Sequence, residues 1–224
     1  MKLTVLAAIA CTATLLTAAE PDAPKRLQAS TDAFKEVMGT PDKAIPQDLL
    51  NKAQCIIIVP GLKKGAFIIG AKYGKGFVSC RKKGGAGWTA PGSLRVEGGS
   101  FGFQIGGEET DVFMLVMNDK GMGRLLTTKF TLGGDASAAA GPVGRTTQAE
   151  TDAAMTAEIL TWSRSRGLFA GISLSGATLR PDEDWNTELY GRKITNREIL
   201  TTPVTAPAAF APLAAELNRY SSRK

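Results

Sequence analysis

The spacing of apolar positions divides this chain into helical flanks and a strand-rich middle. Leu27, Thr31, Phe34 and Met38 recur at helical intervals, with Lys25, Arg26, Lys35 and Glu36 elsewhere, which predicts a helix over 23–38. Two readings fit it: a helix that covers a sheet, and a helix lying on a membrane surface. Pro41 and Pro46 end it, and 47–53 gives a short second helix. From Cys55 the period changes. Cys55 to Val59 is an uninterrupted apolar run closed by Pro60, the pattern of a strand buried on both faces. Segments 66–71 and 76–82 follow as strands between glycine turns, so 55–82 reads as an up-and-down meander.

Further strands follow. Leu94 and Val96 share one face; Phe101, Phe103 and Ile105 share one face of another strand; Val112 to Met117 is a second continuous apolar run. Residues 124–130 are expected to form a short helix. Gly141-Pro142-Val143-Gly144-Arg145 is a tight turn, readable as a structural turn or as an anion cradle with Arg145, Thr146 and Thr147. Residues 157–163 and 168–178 read as strands joined at Arg164-Ser165-Arg166-Gly167. Asp182-Glu183-Asp184 opens a helix carrying Trp185 and Leu189 and closed by Gly191; acids at that place suit the helix dipole better than a Ca²⁺ site. Thr195 and Glu198 have capping-box spacing. Pro203, Pro207 and Pro212 mark a linker before a last helix with Phe210, Leu213, Leu217 and Tyr220 on one stripe.

These elements predict one α+β domain: a curled or barrel-like, largely antiparallel sheet of six or more strands, covered by helices from both termini. The 224 residues suffice for one substantial core, and 25 glycines suit many turns between short strands. Residues 1–19 have the form of a secretory signal: Lys2, an apolar run from Leu3 to Leu16 too short for a span, then Thr17-Ala18-Ala19. The expected location is therefore periplasmic or secreted, in a bacterial envelope, with membrane association open. Cys11 offers a lipoprotein alternative, although the apolar run continues past it. The mature chain keeps Cys55 and Cys80. An oxidising compartment favours pairing them, but the meander sets them near opposite ends, and its expectation is two buried free thiols.

The formal charge of +6 is modest and does not call for nucleic acid. Its distribution says more. Residues 61–85 hold seven cations and no acid, while 96–119 hold five acids and no base. In the meander, Lys63, Lys64, Arg81, Lys82 and Lys83 gather at one end, with Lys72 and Lys75 at the other. These five, with Arg145, are the candidate anion-binding residues; the alternative is ordinary solvated charge. The chain has no histidine, which removes Ser-His-Asp and Cys-His nucleophiles and imidazole metal sites. Gly98-Gly99-Ser100-Phe101-Gly102 has the letters of a nucleophile elbow but sits between strands. No phosphate-binding or dinucleotide fingerprint occurs. The expectation is a protein that is not an enzyme and needs no cofactor or metal.

An ordered set of segments resembles a known family. It comprises Ala53-Gln54-Cys55-Ile56-Ile57-Ile58-Val59-Pro60, Lys64-Gly65-Ala66-Phe67, Gly87-Trp88-Thr89-Ala90-Pro91 and Gly99-Ser100-Phe101-Gly102-Phe103-Gln104-Ile105-Gly106. Asp135 to Arg145, Ser163 to Gly171 and Asn186 to Gly191 complete it. The set resembles the SYLF domain, a lipid-binding domain also described as actin-binding from its yeast members. The match runs over 47–191, inside a domain expected at 20–202 and followed by the linker and helix of 203–224. The resemblance implies binding of phosphoinositides or other acidic phospholipid at a membrane surface, through the basic patch. The alternative it implies is a structural or protein-binding envelope module, actin-binding in eukaryotic relatives, with incidental lipid affinity. The protein partner is left unnamed. The chain departs from the family in carrying the leader and in lacking an appended SH3 or FYVE module.

Overall fold

The computed structural model describes residues 22–40, 44–67, 69–84, 86–100, 108–144 and 156–221. The leader with Cys11, the strand expected at 101–105, and Arg145 lie outside them. The centre of the fold is a hairpin of two long strands, β1 (Cys55–Phe67) and β2 (Ile69–Cys80). Around it come β3 (Gly92–Ser100), β4 (Glu108–Val116), β5 (Phe130–Thr131), β6 (Ala138–Ala140), β7 (Ile159–Ser165), β8 (Leu168–Gly171) and β9 (Thr178–Pro181). The sheet runs β5-β9-β3-β2-β1-β4-β7-β6, with β8 on β7, and every pairing is antiparallel except β6 with β7. Its outermost strands, β5 and β6, are separated in sequence only by 132–137, within which Leu132 bridges Ala136. A link that short draws the two edges together and curls the sheet.

Alternation along the central strands supplies both cores. Ile57, Val59, Val112, Met114 and Val116 face the inside of the curl, with Leu94, Val96 and Leu179. Ile56, Ile58, Phe77, Phe113, Leu115, Leu160 and Trp162 face outward beneath helices. Those helices are α1 (Asp22–Met38), α2 (Gln47–Lys52), α4 (Glu183–Tyr190) and α6 (Ala211–Tyr220). Leu27, Thr31, Phe34 and Met38 of α1 are all buried, so its apolar stripe covers the sheet, and α6 packs on it with Phe34 edge-on to Tyr220. The inner core is plugged by Leu125 of α3 (Asp119–Leu125) and by Ile199 and Leu200 of α5 (Asn196–Thr201). The helix expected at 124–130 thus begins earlier, at the Asn118 cap, whose side chain accepts from the Gly121 N–H.

The fold class stands as expected; the meander does not. Segment 55–82 is one long hairpin. Pro60-Gly61 makes a bulge inside β1: Gly61 has φ 58°, its N–H donates to Asp111, and Arg26 donates to the Pro60 carbonyl. Gly74, expected in the second turn, is likewise a strand residue, where a Cβ would run into Val59 and Leu62. Register then places Cys55 directly opposite Cys80, and the two form a disulfide. The Arg81 N–H donates to the Gln54 carbonyl at 2.8 Å, which makes Cys55–Cys80 a non-hydrogen-bonded pair, the closer antiparallel geometry. The two free thiols are corrected to a buried cross-strand bridge.

Intact protein denatured without reductant is expected to show no reactive thiol at Cys55 or Cys80, and to label at both once reduced. Replacing both by serine should cost about 3 kcal/mol in denaturant unfolding, the magnitude of closing a loop of this length.

Candidate functional site

The five candidate residues that lie among the described ones do not form one patch. Lys63 and Lys64 lie mid-strand in β1, where Lys64 pairs across to Lys72 and Lys63 to Tyr73. Eight residue steps of β2 lead from Lys72 to Cys80, so about 26 Å lies between this part of the hairpin and the end that carries Lys82 and Lys83. The long hairpin that corrects the thiols therefore also corrects the cation cluster. On the far side of β1, Lys63 and Lys64 stand opposite Glu109 and Glu108 of β4. Burial, and secondarily the Lys64 charge, lowers the Lys72 ammonium below its ordinary range. Lys75 belongs to the structure: its ammonium meets the buried Asp182 carboxylate at 2.9 Å and lies 4.4 Å from the centre of a Trp185 ring. Arg145 lies outside the described residues.

Arg81 is a structural bolt. Its guanidinium donates to the carbonyls of Leu50 at 3.0 Å and Ser221 at 2.6 Å, and to the Ser221 hydroxyl. It also lies 3.9 Å from the centre of a Trp88 ring. It thereby ties the end of α2 and the end of α6 to the sheet, a role that charge spacing in the sequence does not announce. The Gly141–Gly144 turn is structural too: the Trp162 indole donates to the Pro142 carbonyl at 2.9 Å, and a Cβ on Gly141 would strike that indole.

Lys82 and Lys83 remain exposed, next to the 86–91 segment. They line a cleft of about 320 Å³ with Thr89, Ala90, Leu200, Thr201 and Val204. Ala90 and Leu200 are buried in the inner core and Val204 packs against it, so the floor is apolar and the rim cationic. Thr201 and Thr202 donate their hydroxyls to the Arg197 and Glu198 carbonyls. The cleft can seat a ligand with a negative head and a short apolar part; no side chain in its lining is positioned as a nucleophile with a base.

The starts of α4 and α5 are fixed by local capping. Asp182 caps α4 at Trp185, and Thr195 caps α5 at Glu198. Beneath them the buried Asn186 accepts from the Ser93 N–H and donates to Asn196, and Asn196 donates back to the Ser93 carbonyl at 2.9 Å. This network holds α4 and α5 on β3. Tyr190 adds a bond from its hydroxyl to the Pro91 carbonyl at 2.8 Å, and burial raises its phenol above the ordinary range.

Fold and site together define a single-domain α+β protein that presents clefts at the edge of a curled sheet. A family model described as "Las17-binding protein actin regulator", named Ysc84, matches residues 97–220, more than half of the chain. An SH3 domain-containing protein of Schizosaccharomyces pombe is 37% identical over 180 residues, which are 79% of this chain and 41% of that protein. The SH3 domain-containing YSC84-like protein 1 of Bos taurus is 33% identical over 184 residues, 82% of this chain and 53% of that one. The LAS seventeen-binding protein 3 of Saccharomyces cerevisiae is 34% identical over 176 residues, 77% of this chain and 38% of that one. The chain belongs to the Ysc84, or SYLF, family, and it spans roughly two-fifths to one half of the length of these relatives.

The bolt and the cleft separate experimentally. Arg81→Ala should destabilise the fold by about 2–3 kcal/mol, because it leaves buried carbonyls without their charged donor. Lys82→Gln and Lys83→Gln should each stay within about 0.5 kcal/mol of the parent in the same unfolding measurement.

Proposed function

We propose that this domain is a non-catalytic binding module whose principal partner is a protein, of the actin-regulating kind for which its family is named. One observation carries the reading. The segment shared with the relatives covers 77–82% of this chain but only 38–53% of theirs, so what is held in common is this folded domain. The dispersal of the basic residues supports it: Arg81 serves the fold, and Lys63 and Lys64 stand opposite Glu109 and Glu108. A surface with such interleaved charge favours recognition by shape and paired contacts over simple attraction to an anionic sheet.

A second ligand, acidic phospholipid, is favoured by the Lys82–Lys83 cleft with its apolar floor and cationic rim. Two lysines near an anionic surface contribute about 1 kcal/mol each, so this affinity is weak and falls with salt. On the reading of 1–19 as an export leader, the site of action is the cell envelope and the partner there an envelope protein; the binding surfaces do not depend on that reading.

Co-sedimentation separates the two readings. Purified chain is expected to pellet with filamentous actin, and Lys82→Glu with Lys83→Glu should leave that retention unchanged. The same pair of substitutions should remove most retention on phosphatidylserine vesicles at low salt. Failure to pellet with filaments removes the actin-type partner, and failure on vesicles removes the lipid.

A further inference from the structure

Three sulfur atoms meet at the open end of the β1–β2 hairpin. Register sets Cys55 of β1 opposite Cys80 of β2 on one side and opposite Val116 of β4 on the other. From Val116 the chain passes at once through the Asn118 cap into α3, where the Met122 N–H donates to the Asn118 carbonyl at 3.0 Å. Gly121 lets that helix close down on the sheet: a Cβ there would meet the Val116 side chain at 2.8 Å and the Glu158 carbonyl at 2.9 Å. Met122, the next residue, is thereby laid over the cysteine pair. Its Sδ lies 3.1 Å from the Cys55 Sγ and 3.6 Å from the Cys80 Sγ. Both cysteines are buried, whereas Met122 is half-buried, so the thioether is the sulfur nearest to solvent. A leucine would fill much the same space; what Met122 adds is a soft donor beside both cysteines.

As a disulfide the pair binds no metal. A dithiol reductant converts it: the reductant's own sulfurs become the disulfide, and Cys55 and Cys80 take up its two electrons and two protons as thiols. The donor set is then two thiols, each able to ionise, and one thioether. The core cluster around these sulfurs is apolar, and among the described residues no three His, Cys, Asp or Glu side chains are grouped to hold a metal ion. Structural zinc takes four nitrogen or sulfur ligands, and hard cations take oxygen, so neither suits this set. Thiolate and thioether together select monovalent copper. Arg81, Lys82 and Lys83 follow Cys80 directly, a run of positive charge that favours thiolate over thiol. We propose that the reduced form of this chain binds one cuprous ion between Cys55, Cys80 and Met122. The ion displaces one proton from each thiol and accepts a lone pair from all three sulfurs, its own oxidation state unchanged. Copper and the disulfide are then alternative occupants of one end of the hairpin.

Titration of the full chain with cuprous ion tests this, after reduction by a dithiol, its removal by desalting without oxygen, and in competition with bicinchoninate. The expected result is one equivalent per chain, with a thiolate-to-copper charge-transfer band in the ultraviolet, and no such band from the disulfide form. Met122→Leu should weaken binding about tenfold or more, the loss that metal sites suffer even from changes behind their ligands. Met38→Leu, in the outer core, should leave it unchanged. Should reduction loosen the fold, the unfolding midpoint carries the test: cuprous ion is expected to raise it in the reduced parent and to raise it less in Met122→Leu. Zinc should raise neither. Copper binding indifferent to Met122, zinc held as tightly as copper, or no saturable binding of copper overturns the proposal.

Discussion

The pairing of β1 with β2 and β4 is the constraint from which the rest of the molecule follows. β1 is buried on both faces from Cys55 to Val59, so its register on each neighbour is fixed twice, once by each core. A slip of one residue would bring Ile56 and Ile58 into the curl and Ile57 and Val59 under the helices. The Cys55–Cys80 bridge pins the open end of that hairpin, far from its 67–69 turn, covalently. Everything attached to the hairpin inherits its alignment: the Arg81 bolt one residue beyond the bridge, the Lys82–Lys83 turn after it, and β3, whose Arg95 stands opposite Lys75.

Register also decides the electrostatics. Along the chain the cations of 61–85 and the acids of 96–119 form two blocks of opposite sign. In the sheet those blocks are woven together, because the basic hairpin lies between β3 and β4. Lys63 and Lys64 face Glu109 and Glu108 on one side, and Tyr73 faces Glu97 on the other. The two blocks, expected to divide the domain into attracting and repelling ends, instead alternate across neighbouring strands. Among the described residues, cations gather at the Lys82–Lys83 turn, and Arg95 stands opposite Arg180 with Glu97 between them. Both places adjoin α5: its Leu200 floors the Lys82–Lys83 cleft, and its Arg197 lines a second cleft with Arg95 and Arg180.

Local signals were legible because their physics is local. The Leu27–Met38 stripe, the Asp182 cap, the Thr195 cap and the left-handed Gly191 each depend on residues within one or two turns. The β7–β8 turn at Arg166-Gly167 reads equally well, both residues having positive φ. Pro60-Gly61 misled for a definite reason. The same dipeptide serves a turn or a bulge, and the choice rests on Arg26 and Asp111, both remote in sequence. Gly74 misled similarly, since a strand glycine at a close approach to Val59 and Leu62 looks like a turn glycine. Two misplaced turns, where the chain makes one at 67–69, moved both the cysteines and the cations, so the two corrections share one error of register.

The candidate site was the less legible part, and for the same cause at longer range. A lysine or arginine in the sequence carries its charge but not its partners. Arg81 becomes structural only because Leu50 and Ser221 arrive from α2 and from the end of α6. Arg95 and Arg180, 85 positions apart, become cross-strand partners only through the β3–β9 register. Neither fact has a signal in composition or local spacing. Within one basic chain the same residue type thus divides into two populations: cations whose acceptors are supplied by the fold, and exposed cations such as Lys82 and Lys83 that line a cleft. The second population is where anion binding is to be sought, because the fold does not rest on it.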